Sequence, residues 1–105
     1  VGMRHYAPRA RLVLVKSAAA MREEVAGLRG STAQVGLMLP DGWDALGETT
    51  VYAWGQWSDS EALARRLFAG LRALDEAGAT AIVCPVPEGD GVAVALRDRL
   101  EKAAR

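Results

Sequence analysis

The spacing of apolar positions changes several times along this chain, and each change marks an element. "RLVLV", Arg11 to Val15, is short, apolar and rich in branched residues, and predicts a first strand. In "SAAAMREEVAGLRG", Met21, Val25 and Leu28 recur at helical spacing, with Ser17 as cap and Gly30 as stop. "AQVGLMLP" holds a second strand, Val35 to Leu39, ended by Pro40. "DGWDALGE" is turn-rich and has room for one helical turn at most. "TTVYAWG" gives a third strand, Thr49 to Trp54.

The clearest helix comes next. Ser58 and Glu61 form a capping-box signature, and Leu63, Leu67, Leu71 and Leu74 make one apolar stripe running toward Gly78. "TAIVCPV" is nearly all apolar, which predicts a fourth strand covered on both faces. "PEGDG" then leads into a last helix with Val92, Leu96, Leu100 and Ala103 facing inward. Strands alternating with helices predict a small three-layer α/β/α sandwich around a mostly parallel sheet of four or five strands. The link between the second and third strands is shorter than the dozen or more residues of an ordinary parallel crossover, which leaves the strand order open. Residues 1–9 precede the first segment able to fold, and 10–105 read as the domain.

At 105 residues the chain fits one domain, with half its residues apolar and a quarter charged. Thirteen basic residues balance thirteen acidic ones, which weighs against nucleic acid as a direct partner. No apolar run approaches the roughly 18 residues of a membrane span, and no signal-peptide pattern opens the chain. The chain starts at Val1 rather than at a methionine, as a segment cut from something longer would. Cys84 is the sole cysteine, so no internal disulfide forms, and "AIVCPV" predicts a thiol acting as a small hydrophobe. This usage suits a reducing compartment, and a cytoplasmic location is expected.

Candidate chemistry is sparse. "GDGVAV", after the fourth strand, approaches a dinucleotide-binding glycine pattern, but Val94 takes the third glycine position and Glu88 and Asp90 would repel a pyrophosphate. One histidine, His5, and one cysteine, far apart, do not make a metal site. Glu23 with Glu24, and Asp98 with Glu101, sit beside arginines on helices and read as solvated faces. Arg65, Arg66 and Arg72 share one long helix, where an anion site competes with a solvated face. Trp43, Trp54 and Trp57 gather in or beside the loops after the second and third strands. They either cap the sheet end of the core or form a contact surface.

Three motifs carry a resemblance. "GMRHYAP" resembles the segment joining the two domains of long-form threonylcarbamoyl-AMP synthase. "LARRLFAGLRALDEAG" is similar to a C-terminal helix of that family, through Leu67, Phe68, Leu71, Arg72, Leu74 and Asp75. "GVAVALRDRLEKAA" is similar to its closing helix, through Gly91, Ala95, Leu96, Asp98, Arg99, Leu100, Ala103 and Ala104. The resemblance implies a Rossmann-like C-terminal module without catalytic residues, whose partner is an N-terminal YrdC-type catalytic domain. That parent enzyme makes threonylcarbamoyl-AMP from ATP, L-threonine and bicarbonate, with Mg, for threonylcarbamoyladenosine modification of tRNA. It implies no cofactor for this chain. It makes residues 1–9 an interdomain linker, in which Arg4, His5 and Tyr6 gate the partner's cleft. On the residues alone, Trp54, Trp57, Gly89 and Gly91, beside the strand ends, are a candidate interdomain or ligand surface.

Two other function classes stay open on the residues alone. One is a stand-alone nucleotide- or tRNA-binding module with its pocket around Trp54, Trp57 and Gly89. The other is an enzyme built on Cys84 or His5.

Overall fold

The computed structural model describes residues 6–105. Its elements run β1 (Arg11–Val15), α1 (Ala18–Arg29), β2 (Val35–Pro40), β3 (Val51–Gly55), α2 (Ser60–Glu76), β4 (Ala81–Pro85) and α3 (Val92–Ala103). The four strands form one sheet in the order β1-β4-β2-β3, and all neighbours are parallel. The predicted three-layer sandwich is the fold.

Alternation along the strands builds two cores. Leu12, Met38, Trp54, Ile82 and Cys84 face one side, where Leu63, Leu67, Leu71 and Leu74 of α2 and Leu96 and Leu100 of α3 cover them. Val13, Val15, Val35, Leu37 and Val83 face the other side, under Met21 and Val25 of α1. β4 lies inside the sheet between β1 and β2, which is why each of its residues is buried and its sequence is continuously apolar. Ile82, Val83 and Leu37 are fully buried, and each such side chain contributes about 1.5–3 kcal/mol of transfer free energy.

The short link between β2 and β3 resolves itself without a helix. Residues 41–50 form a turn-rich loop over the α1 side, and Trp43 and Leu46 fill the apolar position a crossover helix would occupy. Asp44 Oδ1 accepts from the Leu46 amide at 2.8 Å, and the Asp41 amide donates to the Gly55 carbonyl at 2.9 Å. Leu46 takes φ 58°, a left-handed conformation uncommon for such a residue, and Gly47 follows at φ 79°. The Arg29 guanidinium, at the end of α1, ties the loop down by donating to the Leu46 carbonyl and pairing with Glu48 at 3.3 Å. The β2–β3 register shifts between Leu39 and Pro40, where proline offers no N–H to the ladder.

Element ends differ from expectation in several places: β2 takes in Pro40, and β3 runs Val51–Gly55 rather than Thr49 to Trp54. Asp59, not Ser58, caps α2, its side chain accepting from the Ala62 amide at 3.1 Å. Val92 opens α3 at 38 % exposure instead of facing inward, because the buried stripe runs through Ala93, Leu96 and Leu100.

Gly70 sets the distance between α2 and the sheet. A Cβ there would lie 2.6 Å from the Tyr52 ring and 2.7 Å from the Met38 thioether, so only a bare backbone fits. Gly27 of α1 has nothing within 4 Å of the same position. In urea denaturation Gly27→Ala should gain about 0.5–1 kcal/mol from helix propensity. Gly70→Ala should instead lose about 1–3 kcal/mol from overpacking, less the same propensity gain. Equal shifts of the two midpoints would show that α2 does not approach the sheet this closely.

Candidate functional site

The apolar stripe of α2 contains one anomaly. Asp75 lies one turn beyond Leu71 on the buried face, 6 % exposed, and is the buried charged residue among those described. Two terms oppose it. A carboxylate loses hydration on burial, and the last turn of a helix presents carbonyls whose dipoles disfavour negative charge. The compensation comes from the chain that enters β1. Tyr6 donates its hydroxyl to Asp75 Oδ2 at 2.5 Å, the Arg9 amide donates to Oδ2 at 2.8 Å and the Ala10 amide donates to Oδ1 at 3.0 Å. Burial pushes the Asp75 pKa up, but the hydrogen bonds from Tyr6, Ala10 and Arg9 outweigh it and hold the carboxyl below its ordinary 3.8. The bond to Asp75 raises the Tyr6 phenol above its ordinary 10.0, with a smaller opposing pull from Arg9 and Arg72.

The strap so fastened borders a cleft of about 310 Å³. Tyr6, Ala7 and Phe68 form its apolar wall, and Asp98, Arg99, Lys102 and Ala103 of α3 its outer rim. Asp98 and Lys102 are paired at 3.0 Å and both are largely exposed. The Tyr6 ring packs against the α2–α3 core, and Ala10 is part of it.

The other candidates separate. Arg4 and His5 lie outside the described residues. Trp54 is fully buried and donates its Nε1–H to the Leu63 carbonyl at 2.9 Å, so it is a core residue and not a surface one. Trp57 is half-buried, edge-on to Trp54 at 6.3 Å and tilted against Trp43 at 5.1 Å between ring centroids, so it links the two rings, which belong to opposite cores. The sheet order puts β2 between β3 and β4, so Gly89 does not share a pocket with the tryptophans. Gly89 instead lines a cleft of about 320 Å³ with Lys16, Val86, Glu88 and Arg97 at the carboxyl ends of β1 and β4. Gly91 caps α3 at φ 63° without a side-chain hydrogen bond. Arg97 donates to the Pro87 carbonyl at 2.9 Å, which closes that loop. Arg66 lies over the Tyr52 ring at 5.7 Å rather than gathering with Arg65 as an anion site.

Cys84 has no exposed surface, donates to the Pro85 carbonyl at 3.5 Å, and is pushed well up in pKa by burial. It is therefore a thiol at neutral pH, sealed from substrate, and the cysteine-based enzyme reading fails on that ground. Among the described residues, no group of His, Cys, Asp and Glu is arranged to hold a metal ion, and no helix is long and apolar enough to cross a membrane.

Sequence reasoning passed over Asp75 except as one letter of a motif. The available signal was its place four residues after Leu71, where the apolar stripe calls for another leucine.

A family model for the threonylcarbamoyl-AMP synthase C-terminal domain matches residues 2–105. Among solved structures, P. abyssi Sua5 complexed with L-threonine is 31 % identical, with a TM-score of 0.79, over 96 % of this chain and 30 % of that one. The C-terminal Sua5 domain of a hypothetical Sua5 protein from Pyrococcus horikoshii is 26 % identical, with a TM-score of 0.72, over 90 % of this chain and 93 % of that one. A P. abyssi Sua5 variant, with an adjacent histidine and tyrosine replaced by alanine, is 28 % identical with a TM-score of 0.77, over 92 % of this chain and 28 % of that one. The chain thus spans about a third of the full-length proteins it matches. No curated protein matches it.

The depressed Asp75 pKa fixes the sign of an acid effect. A carboxylate with a lowered folded value stabilises the fold above its unfolded pKa and loses that contribution as pH falls through the folded value. The Arg9 and Ala10 amide proton resonances should therefore hold steady from neutral pH to about 4, then move together with a midpoint below the ordinary carboxylate value. A midpoint above 3.8 would contradict the bonding described.

Proposed function

The chain belongs to the threonylcarbamoyl-AMP synthase C-terminal domain family, and from that premise we propose that it is the non-catalytic regulatory domain of such a synthase. Its catalytic partner is a YrdC-type domain that joins L-threonine, bicarbonate and ATP, with Mg, into threonylcarbamoyl-AMP and pyrophosphate. The product feeds threonylcarbamoyladenosine formation in tRNA, in the cytoplasm. The strap ahead of β1 acts on the partner's cleft. Arg4 and His5 supply donors for a phosphate or carboxylate, and Tyr6 an aromatic face. A strap closing over the cleft excludes water and retains a hydrolysable mixed anhydride until release.

The observation that carries this reading is the way the strap is held. Its chemical equipment, "RHYAP", precedes β1, and the chain is tied to the domain through Asp75 at the root of that segment. Tyr6, the described member of that equipment, lies against Phe68 and Lys102 and not over the strand ends, where an open parallel sheet binds ligands. The relatives support the same reading. One was solved with L-threonine, and another was altered at an adjacent histidine and tyrosine, and His5–Tyr6 is such a pair here.

The cleft of Lys16, Glu88, Gly89 and Arg97 supports the second reading, a stand-alone nucleotide-binding module, because two cations border it at the carboxyl ends of β1 and β4.

Pyrophosphate release separates the readings. The 105-residue chain given ATP, Mg, L-threonine and bicarbonate should release none, and calorimetry should detect no ATP binding at millimolar concentration. Joined to a YrdC-type domain in one protein, His5→Ala should change turnover at least several-fold. Pyrophosphate from the chain alone, or ATP binding abolished by Lys16→Ala, would overturn the regulatory reading.

A further inference from the structure

The donors to Asp75 among the described residues all come from one short segment, Tyr6 to Ala10. A carboxylate in the last turn of a helix is poorly suited to stability by itself, and here it is buried as well. Its two oxygens are divided between the segment's ends. Oδ2 takes the Tyr6 hydroxyl and the Arg9 amide, and Oδ1 takes the Ala10 amide. This division fixes the register. Pro8 has no N–H, so a one-residue slip would set a prolyl nitrogen where Asp75 now meets the Arg9 donor.

We propose that Asp75 is the positioning residue of the strap: it makes residues 6–10 part of the domain body and holds the Tyr6 ring in one place on α2 and α3. The boundary between linker and domain then falls ahead of Tyr6, not after Arg9. The Tyr6 hydroxyl is committed to Asp75, so what Tyr6 presents outward is its ring, on the wall of the cleft it shares with Phe68 and Lys102. The use of the strap in gating rests on the function proposed above, but the latch itself is a property of this chain and is testable on it alone.

Trypsin cleavage after Arg9 reads the latch directly, with cleavage after Arg65 in α2 reporting opening of the whole domain. Asp75→Asn replaces one acceptor oxygen by an NH2 that faces a donor. It should speed cleavage after Arg9 roughly tenfold or more without changing cleavage after Arg65. Tyr6→Phe keeps the ring and removes one donor, and should speed it less. In a Tyr52→Phe background, ultraviolet titration follows Tyr6 alone, and its phenol should ionise at lower pH once Asp75 is Asn. Should Asp75→Asn fail to fold, Tyr6→Phe decides by the same cleavage ratio. Cleavage after Arg9 that rises only in step with cleavage after Arg65 would overturn the proposal. So would a Tyr6 titration that ignores Asp75→Asn. If these results hold while the joined enzyme is indifferent to His5→Ala, the latch stands and the gating reading falls.

Discussion

A single carboxylate joins the chain ahead of β1 to the body of the domain. Asp75 is buried at the unfavourable end of α2 and is held ionised by one side-chain and two backbone donors from the segment ahead of β1. Removing the segment's donors leaves the buried Asp75 carboxylate unsatisfied, and a buried group left without its partner costs about 1–3 kcal/mol when neutral and more when charged. The segment and the helix end therefore form one unit. From there the chain enters β1, whose first amide, on Arg11, donates to the Thr80 carbonyl at 2.9 Å at the start of β4. The entry of the strap, the end of α2 and the start of the two strands β1 and β4 are thus fixed together.

The rest of the fold serves to hold that corner rigid. β4 is buried inside the sheet between β1 and β2, and α2 approaches the sheet closely over Gly70. The C-terminal end of α2 consequently has little freedom to shift relative to β1. A tether anchored on such a corner transmits position instead of absorbing it, as the proposed action on a neighbouring domain's cleft requires. Beyond the strand ends, where open α/β sheets commonly hold ligands, three tryptophans in tilted and edge-on contact lie on one side, and on the other a loop tied by Arg97 borders the cleft of Lys16 and Gly89.

Much of this architecture was legible in the residues, for reasons that can be named. The period-two and period-3.6 patterns placed all four strands and three helices, because each element buries a face against the sheet or its covering helices. The continuous apolar run of β4 announced a strand covered on both sides. The strand order was not legible, because a parallel crossover made by a loop carries no helical period, and Trp43 and Leu46 resemble ordinary loop residues until they are seen packed on α1. The tryptophans were grouped correctly in sequence but not in exposure: a tryptophan's size suits core and interface alike, and only the Trp54 contact with Leu63 distinguishes them. Asp75 escaped because an acidic residue near the end of a helix looks solvated, and its partners lie more than sixty residues away.

The most direct test of the account is a double-mutant cycle between Tyr6→Phe and Asp75→Asn, read by urea denaturation of the chain. The account predicts that the two losses are not additive, with a coupling of about 1 kcal/mol or more, as for groups in one buried hydrogen-bond network. Additive losses, with coupling near zero, would mean that the phenol and the carboxylate do not act on one another and that the strap is not fastened where the structure fastens it.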